Sequence, residues 1–130
     1  MDLSHCTALV VDDFSTMRRI VNNLLREAGF GHVVEAEDGT EALRKLDHDN
    51  VHFVVSDWNM PRMSGIELLR AVRRSEKLKN LPFLRITAEG HKENIVEAAQ
   101  AGADGYILKP FTAATLTKKI EAILQRKGLS

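Results

Sequence analysis

The sequence predicts an α/β protein built on a parallel sheet with helices on both faces. Three observations lead there. Short apolar, β-branched runs alternate five times with stretches whose apolar residues recur at helical spacing. Such alternation implies parallel strands joined by right-handed crossovers. The strand runs are nearly continuous in apolar residues, as strands buried on both faces are. Polar residues then gather where strands stop: Asp12-Asp13, Asp57, Thr87 and Lys109 each follow an apolar run and precede a loop. Ligands of open α/β sheets lie outside the carboxyl ends of the strands, so this clustering marks the candidate site.

Thr7–Val11 is the first strand, and Ser15 is the expected N-cap of the helix that follows. Met17, Ile20, Val21, Leu24, Leu25 and Ala28 line one face of that helix, and Gly29 is placed to end it. His32–Ala36 is a weaker run, expected at a sheet edge. Asp38 with Glu41 resembles a capping pattern for a short helix through Ala42, Leu43 and Leu46. His52–Ser56 is the third strand. Ser64-Gly65-Ile66-Glu67 has the form of a capping box and opens a helix to about Arg74. Pro82–Thr87, the alanine-rich helix Lys92–Ala101, the short strand Gly105–Leu108 and the helix Ala113–Arg126 complete the order.

The composition bounds the function. A chain of 130 residues fits one domain with a real core, here taken as residues 1–130 with no output domain after the last helix. Lys+Arg and Asp+Glu both total 18, so the formal net charge is zero, which argues against electrostatic binding of nucleic acid. The single cysteine, Cys6, excludes an internal disulfide and suits a reducing compartment. No apolar run approaches the roughly 20 residues of a membrane span, and Met1-Asp2-Leu3-Ser4-His5 lacks the basic and apolar regions of a signal peptide. A cytoplasmic protein is expected.

The chemistry centres on Val54-Val55-Ser56-Asp57-Trp58-Asn59-Met60-Pro61, a buried strand that stops at a carboxylate. If the strands ending at Asp12-Asp13 and Asp57 are neighbours, three carboxylates converge. Like charges that close repel, so the cluster implies a bound cation or raised pKa values. A divalent metal site around one reactive aspartate is the expectation. Each acid taken alone would be explained as well by a helix cap or a solvated loop, Lys109 as an exposed lysine, and Thr87 as a β-branched strand residue.

Val11-Asp12-Asp13, Ser56-Asp57-Trp58-Asn59-Met60-Pro61, Thr87-Ala88-Glu89 and Lys109-Pro110-Phe111 together resemble the signature of the receiver domains of two-component response regulators. The resemblance reaches the single-domain chemotaxis regulators of that family. It extends through Phe14-Ser15-Thr16-Met17-Arg18-Arg19-Ile20-Val21, Ala36-Glu37-Asp38-Gly39, Ala98-Ala99-Gln100-Ala101-Gly102-Ala103 and Thr112-Ala113-Ala114-Thr115-Leu116. It implies the flavodoxin-like strand order 2-1-3-4-5, which periodicity alone does not show.

The resemblance also implies roles. Asp57 would accept a phosphoryl group from a histidine kinase, with Mg²⁺ held by the Asp13 and Asp57 carboxylates and the Asn59 carbonyl, and by Asp12 through a water. Lys109 would contact the phosphoryl oxygens as a point charge, beside a cis Lys109-Pro110 bond. Thr87 would hydrogen-bond the phosphoryl group, and the small Ala88 would leave phosphodonors access. Thr87 moving toward the phosphate would let Tyr106 turn inward, altering the face of the fourth helix, fifth strand and fifth helix. Through Gly90, Lys92, Ile95, Tyr106, Leu108 and Lys119 that face would bind the flagellar motor switch and the docking domain of the kinase. Asn59 and Glu89 would tune hydrolysis toward a short-lived acyl phosphate. The resemblance would allow a phosphatase as a further partner. The expected protein is a monomeric switch with no membrane or nucleic-acid partner, not a turnover enzyme, and Trp58 should report its state by fluorescence.

Three residues depart from the pattern. Arg85 stands in the apolar strand Phe83-Leu84-Arg85-Ile86-Thr87, on the same face as Thr87. A buried guanidinium needs a partner, so Arg85 is expected to reach a carboxylate, a carbonyl or an aromatic face such as that of Tyr106, and to bias the switch. His91 and Asp104 replace an expected lysine and small residue and should alter the output surface. Two other classes compete with a motor-binding switch: a phosphorelay shuttle or phosphate sink, and a metal-dependent phosphatase, for whose substrate pocket so short a chain leaves little.

Overall fold

The computed structural model describes residues 2–58, 60, 63–88 and 92–128. Strands and helices alternate as β1 (Thr7–Val11), α1 (Ser15–Glu27), β2 (His32–Ala36), α2 (Gly39–His48), β3 (Phe53–Asp57), α3 (Gly65–Arg74), β4 (Phe83–Thr87), α4 (Lys92–Ala101), β5 (Gly105–Leu108) and α5 (Ala113–Arg126). The strands form one parallel sheet in the order β2-β1-β3-β4-β5. β2 is therefore an edge strand, as its weaker apolar run implied.

Burial explains the strand patterns. Every residue of β3 and β4 is buried, because helices cover both faces of the sheet centre. Alternate strand residues feed two cores. Ala8, Val10, Phe53, Val55, Leu84 and Ile86 pack with Val21 and Leu25 of α1 and Leu116, Ile120 and Ile123 of α5. Leu9, Val11, Val54 and Phe83 pack with Ala42 and Leu46 of α2 and Leu68, Leu69 and Val72 of α3. No helix among the described residues is long and apolar enough to cross a membrane.

The helix ends follow local chemistry, with one correction. Asp38 caps α2 by accepting the Glu41 N–H at 2.9 Å. Ser64 and Glu67 form the expected capping box of α3. Gly29 follows α1 at φ 113°, a left-handed conformation that glycine adopts without a Cβ clash. Ser15, however, is the first residue of α1 and not its cap. Phe14 takes the cap position without a side-chain hydrogen bond, and its own N–H is held by Asp12 Oδ1 at 2.9 Å. The carboxylate that ends β1 thus shapes the entry to α1. β3 also begins and ends one residue later than expected, which brings Asp57 into the strand, and β4 starts at Phe83.

Candidate functional site

β1 and β3 pair directly, with Val11 beside Ser56, so the acids that end them meet. Asp12 is 1% exposed and Asp57 8%, while Asp13 turns outward. One carboxylate oxygen from each lies within 4.8 Å of the others. Lys109, just past β5, reaches into this group. Its Nζ stands 3.4 Å from Asp57 Oδ1 and 3.9 Å from Asp12 Oδ2. The Lys109 backbone N–H donates to the Thr87 carbonyl at 2.9 Å, and the Lys109-Pro110 bond is cis. Thr87 is buried at the end of β4 and Ala88 exposed beyond it. The cluster opens into a cleft of about 530 Å³ whose other wall is Phe14, Met17 and Ile20 of the α1 region, Phe14 largely in solvent.

Burial pushes the Asp12 and Asp57 carboxyls above the ordinary carboxylate range. For Asp12, the Phe14 N–H opposes the rise and the Asp57 charge adds to it. For Asp57, the strongest opposition is the Lys109 charge, followed by the Trp58 backbone N–H. Asp12 Oδ2 is buried with no hydrogen-bond partner among the described residues, because Lys109 at 3.9 Å is too far to donate. An orphaned carboxylate oxygen in an all-oxygen acid cluster fits a hard divalent cation such as Mg²⁺. Asp12, Asp13 and Asp57 can supply ligands to one.

The sequence did not show that Arg18 and Glu35, beside the cluster, are partners. Arg18 of α1 donates to the Asp12 carbonyl at 2.8 Å and to Glu35 Oε1 of β2 at 3.0 Å. Asn22 holds the other Glu35 oxygen at 2.9 Å. Glu35 breaks the apolar run of β2, which was the one available hint that it has a partner. The pair fixes the loop that presents Asp12 and Asp13.

On β5, Tyr106 is half-buried with Lys119 Nζ 5.2 Å from its ring centroid. Leu108, two residues on, is exposed, and Ile95 of α4 is half-buried. Asn59, Glu89, Gly90 and His91 lie outside the described residues, as does the Lys92 side chain.

Residues 8–121 match the family described as the response regulator receiver domain. The chain belongs to that family. It is 60% identical over 118 residues to chemotaxis protein CheY of Pseudomonas aeruginosa, covering 91% of this chain and 95% of that one. It is equally similar, over 118 residues and 91% of both chains, to chemotaxis protein CheY-3 of Vibrio cholerae. Among solved structures, chemotaxis response regulator CheY4 of Vibrio cholerae superposes with a TM-score of 0.85 at 38% identity, covering 92% of this chain and 98% of that one. A response regulator receiver domain protein of Clostridium thermocellum does so at 0.84 and 31%, covering 95% and 98%.

This receiver also buries a cation in the centre of its sheet. Arg85 is 1% exposed, and its guanidinium carbon lies 4.3 Å from the Trp58 ring centroid. The aromatic face it uses is that of Trp58. A desolvated stack of this kind contributes about 2 kcal/mol, offsetting part of the cost of burying the charge. Asp104 is a correction of another sort. Its carboxylate turns inward, accepting the Phe83 N–H at 2.8 Å, Arg73 at 3.0 Å and Lys127 at 3.0 Å. It joins α3, β4 and the end of α5 at the base of the sheet and places no free charge on the outer surface.

Proposed function

We propose that this receiver is a phosphoacceptor switch in which Asp57 takes a phosphoryl group from a kinase phosphohistidine. An Asp57 oxygen forms the new P–O bond as the P–N bond to the histidine breaks, and the imidazole leaves with the bonding pair. The observation that carries this reading is the setting of Asp57: a buried strand-end carboxylate, with Lys109 Nζ at 3.4 Å and two further acids beside it, opening into a cleft. Lys109 holds part of the charge of the incoming phosphoryl oxygens. Asp12 and Asp13, with Asp57, would hold Mg²⁺, and the Asn59 carbonyl is the fourth ligand the family resemblance assigns. When bound, that ion supplies the hard positive charge that lets two anions approach.

Exposed Ala88 leaves the approach to Asp57 open, and Thr87, the last residue of the adjacent strand, meets the new phosphoryl group. Tyr106 and the face around Ile95, Leu108 and Lys119 form the output surface, to which the family resemblance also assigns Gly90 and Lys92. Glu89 and Asn59 tune loss of the group. The chain acts by binding, with the kinase as donor and the flagellar motor switch as target, and a phosphatase as a further partner. The names of its relatives support a chemotaxis role. The residue span 1–130 is read as one receiver working in the cytoplasm as a monomer.

The test is binding of the motor-switch N-terminal peptide with Mg²⁺, with and without acetyl phosphate, using Asp57→Asn as control. Tightening only on phosphorylation of the intact protein supports the proposal. Phosphorylation reported by Trp58 without peptide binding would replace it with a shuttle or phosphate sink.

A further inference from the structure

We propose that Arg85 is a positioning residue that couples the phosphorylation site to Tyr106 through its stack on Trp58. The inference rests on the phosphoacceptor reading of Asp57 and deepens it.

Three observations carry it. Trp58 follows Asp57 directly, so its ring is tied to the strand end where the reaction occurs. The Arg85 guanidinium lies on that ring at 4.3 Å. Arg85 is also the register neighbour of Tyr106 across the β4–β5 pairing, and of Ser56 across β3–β4. Neighbouring parallel strands run roughly 4.8 Å apart, and registered residues share a sheet face. One side chain therefore touches the residue beside the phosphoacceptor and shares a row with the tyrosine of the output face.

Coupling also needs room to move. Sheet faces are close-packed, and side chains in them change place only where a void allows it. Here Arg85 and Tyr106 line the same cavity, about 230 Å³, roofed by Ile95, Ala98 and Ala99 of α4. Small alanines on the covering helix keep it open. The two side chains share that space, so the position of Arg85 sets the room left to the Tyr106 ring. A change at Asp57 that displaces Trp58 thus shifts the balance between two positions of Arg85, and with it the inward position of Tyr106.

The chain has one tryptophan and one tyrosine, so fluorinated forms of each give a single ¹⁹F resonance. The experiment follows both resonances in the full chain with Mg²⁺ on addition of acetyl phosphate. In the wild type both should move. In Arg85→Met the tryptophan resonance should still move, while the displacement of the tyrosine resonance falls at least threefold. Arg85→Lys, which keeps the charge but lacks the planar stack, should lie between. Trp58→Phe reads the same contact from the other side and should weaken the tyrosine response even if Arg85→Met does not fold. Tyrosine displacements equal to wild type in these variants would overturn the coupling while leaving the phosphoacceptor reading intact. A wild type silent at both resonances would overturn both.

Discussion

Arg73 and Asp104 meet at 3.0 Å at the end of the sheet opposite the acid cluster. The pair does more than neutralise charge. Arg73 also donates to the carbonyls of Gly102 at 3.0 Å and Leu81 at 2.7 Å, while Asp104 holds the Phe83 N–H that starts β4. Arg126 donates to the Asp104 carbonyl as well. Replacing Asp104 with alanine leaves the Phe83 N–H without its acceptor and Arg73 and Lys127 without their carboxylate. Asp104→Ala should cost about 2–4 kcal/mol and lower Tm by roughly 6–15 °C. Thermal melts check the loss, and phosphoryl uptake below the new Tm should be unchanged.

The acid cluster should behave in the opposite way. Burial raises the Asp12 and Asp57 pKa values above the ordinary 3.8. Between 3.8 and the raised values the folded chain binds more protons than the unfolded one, so stability falls as pH rises through that window. At neutral pH, in the absence of divalent ions, Asp12→Asn and Asp57→Asn should therefore each raise Tm. The gain should shrink as pH is lowered into the window and vanish below it. Paired melts at neutral and acid pH read this directly, and a loss of Tm at neutral pH in both variants would contradict it.

A divalent cation should relieve the same strain. At ten times its Kd a ligand that binds only the folded state adds about 1.4 kcal/mol, or roughly 4–6 °C in Tm. Mg²⁺ should give such a rise at neutral pH and less as Asp57 and Asp12 protonate. Asp12→Asn should remove most of it. Trp58 emission, titrated with Mg²⁺, gives the Kd independently of stability.

Lys109 opposes the rise in both acids. Lys109→Met should push Asp57 further up, so uptake of phosphoryl groups from acetyl phosphate should fail at a higher pH than in the wild type. The acid limb of the uptake–pH profile measures the displacement. An unmoved limb with a lower plateau would mean that Lys109 acts only on the bound phosphoryl group.

Gly65 tests the packing under the site. A Cβ there would stand 2.6 Å from the Asp57 carbonyl oxygen and 2.7 Å from Trp58 Cε3. Gly65→Ala should cost about 1–3 kcal/mol by overpacking and shift Trp58 emission before any ligand is added.

Much of this was legible in the sequence because parallel strands advertise themselves. Continuous burial makes Phe53-Val54-Val55 and Ala8-Leu9-Val10-Val11 apolar without alternation, and the polar residue ending each run sits at the sheet's carboxyl edge. Asp38 and Ser64 declared two helix starts through local hydrogen bonds that need nothing distant. Strand order needed the family resemblance, since no short-range rule says that β1 lies between β2 and β3. Phe14 at the α1 cap was hidden because its N–H is served by Asp12 and not by its own side chain. The pairings of Arg18 with Glu35 and of Arg73 with Asp104 were hidden because they join residues 17 and 31 positions apart. Arg85 was conspicuous as a misfit, yet only the fold could name Trp58 as its partner.

The clamp around Asp104 has a kinetic consequence. Bonds that join α3, β4, β5 and α5 are concentrated where the strands begin, whereas the strands end in repelling acids beside an open cleft. Amide exchange should therefore be graded along single strands, with the Phe83 and Asp104 amides exchanging only on global unfolding. Amides at the other ends of β4 and β5, near Ala88 and Lys109, should open far more often. The sheet is hinged at its foot, and its reactive rim can rearrange on fast timescales without loosening the domain that carries it.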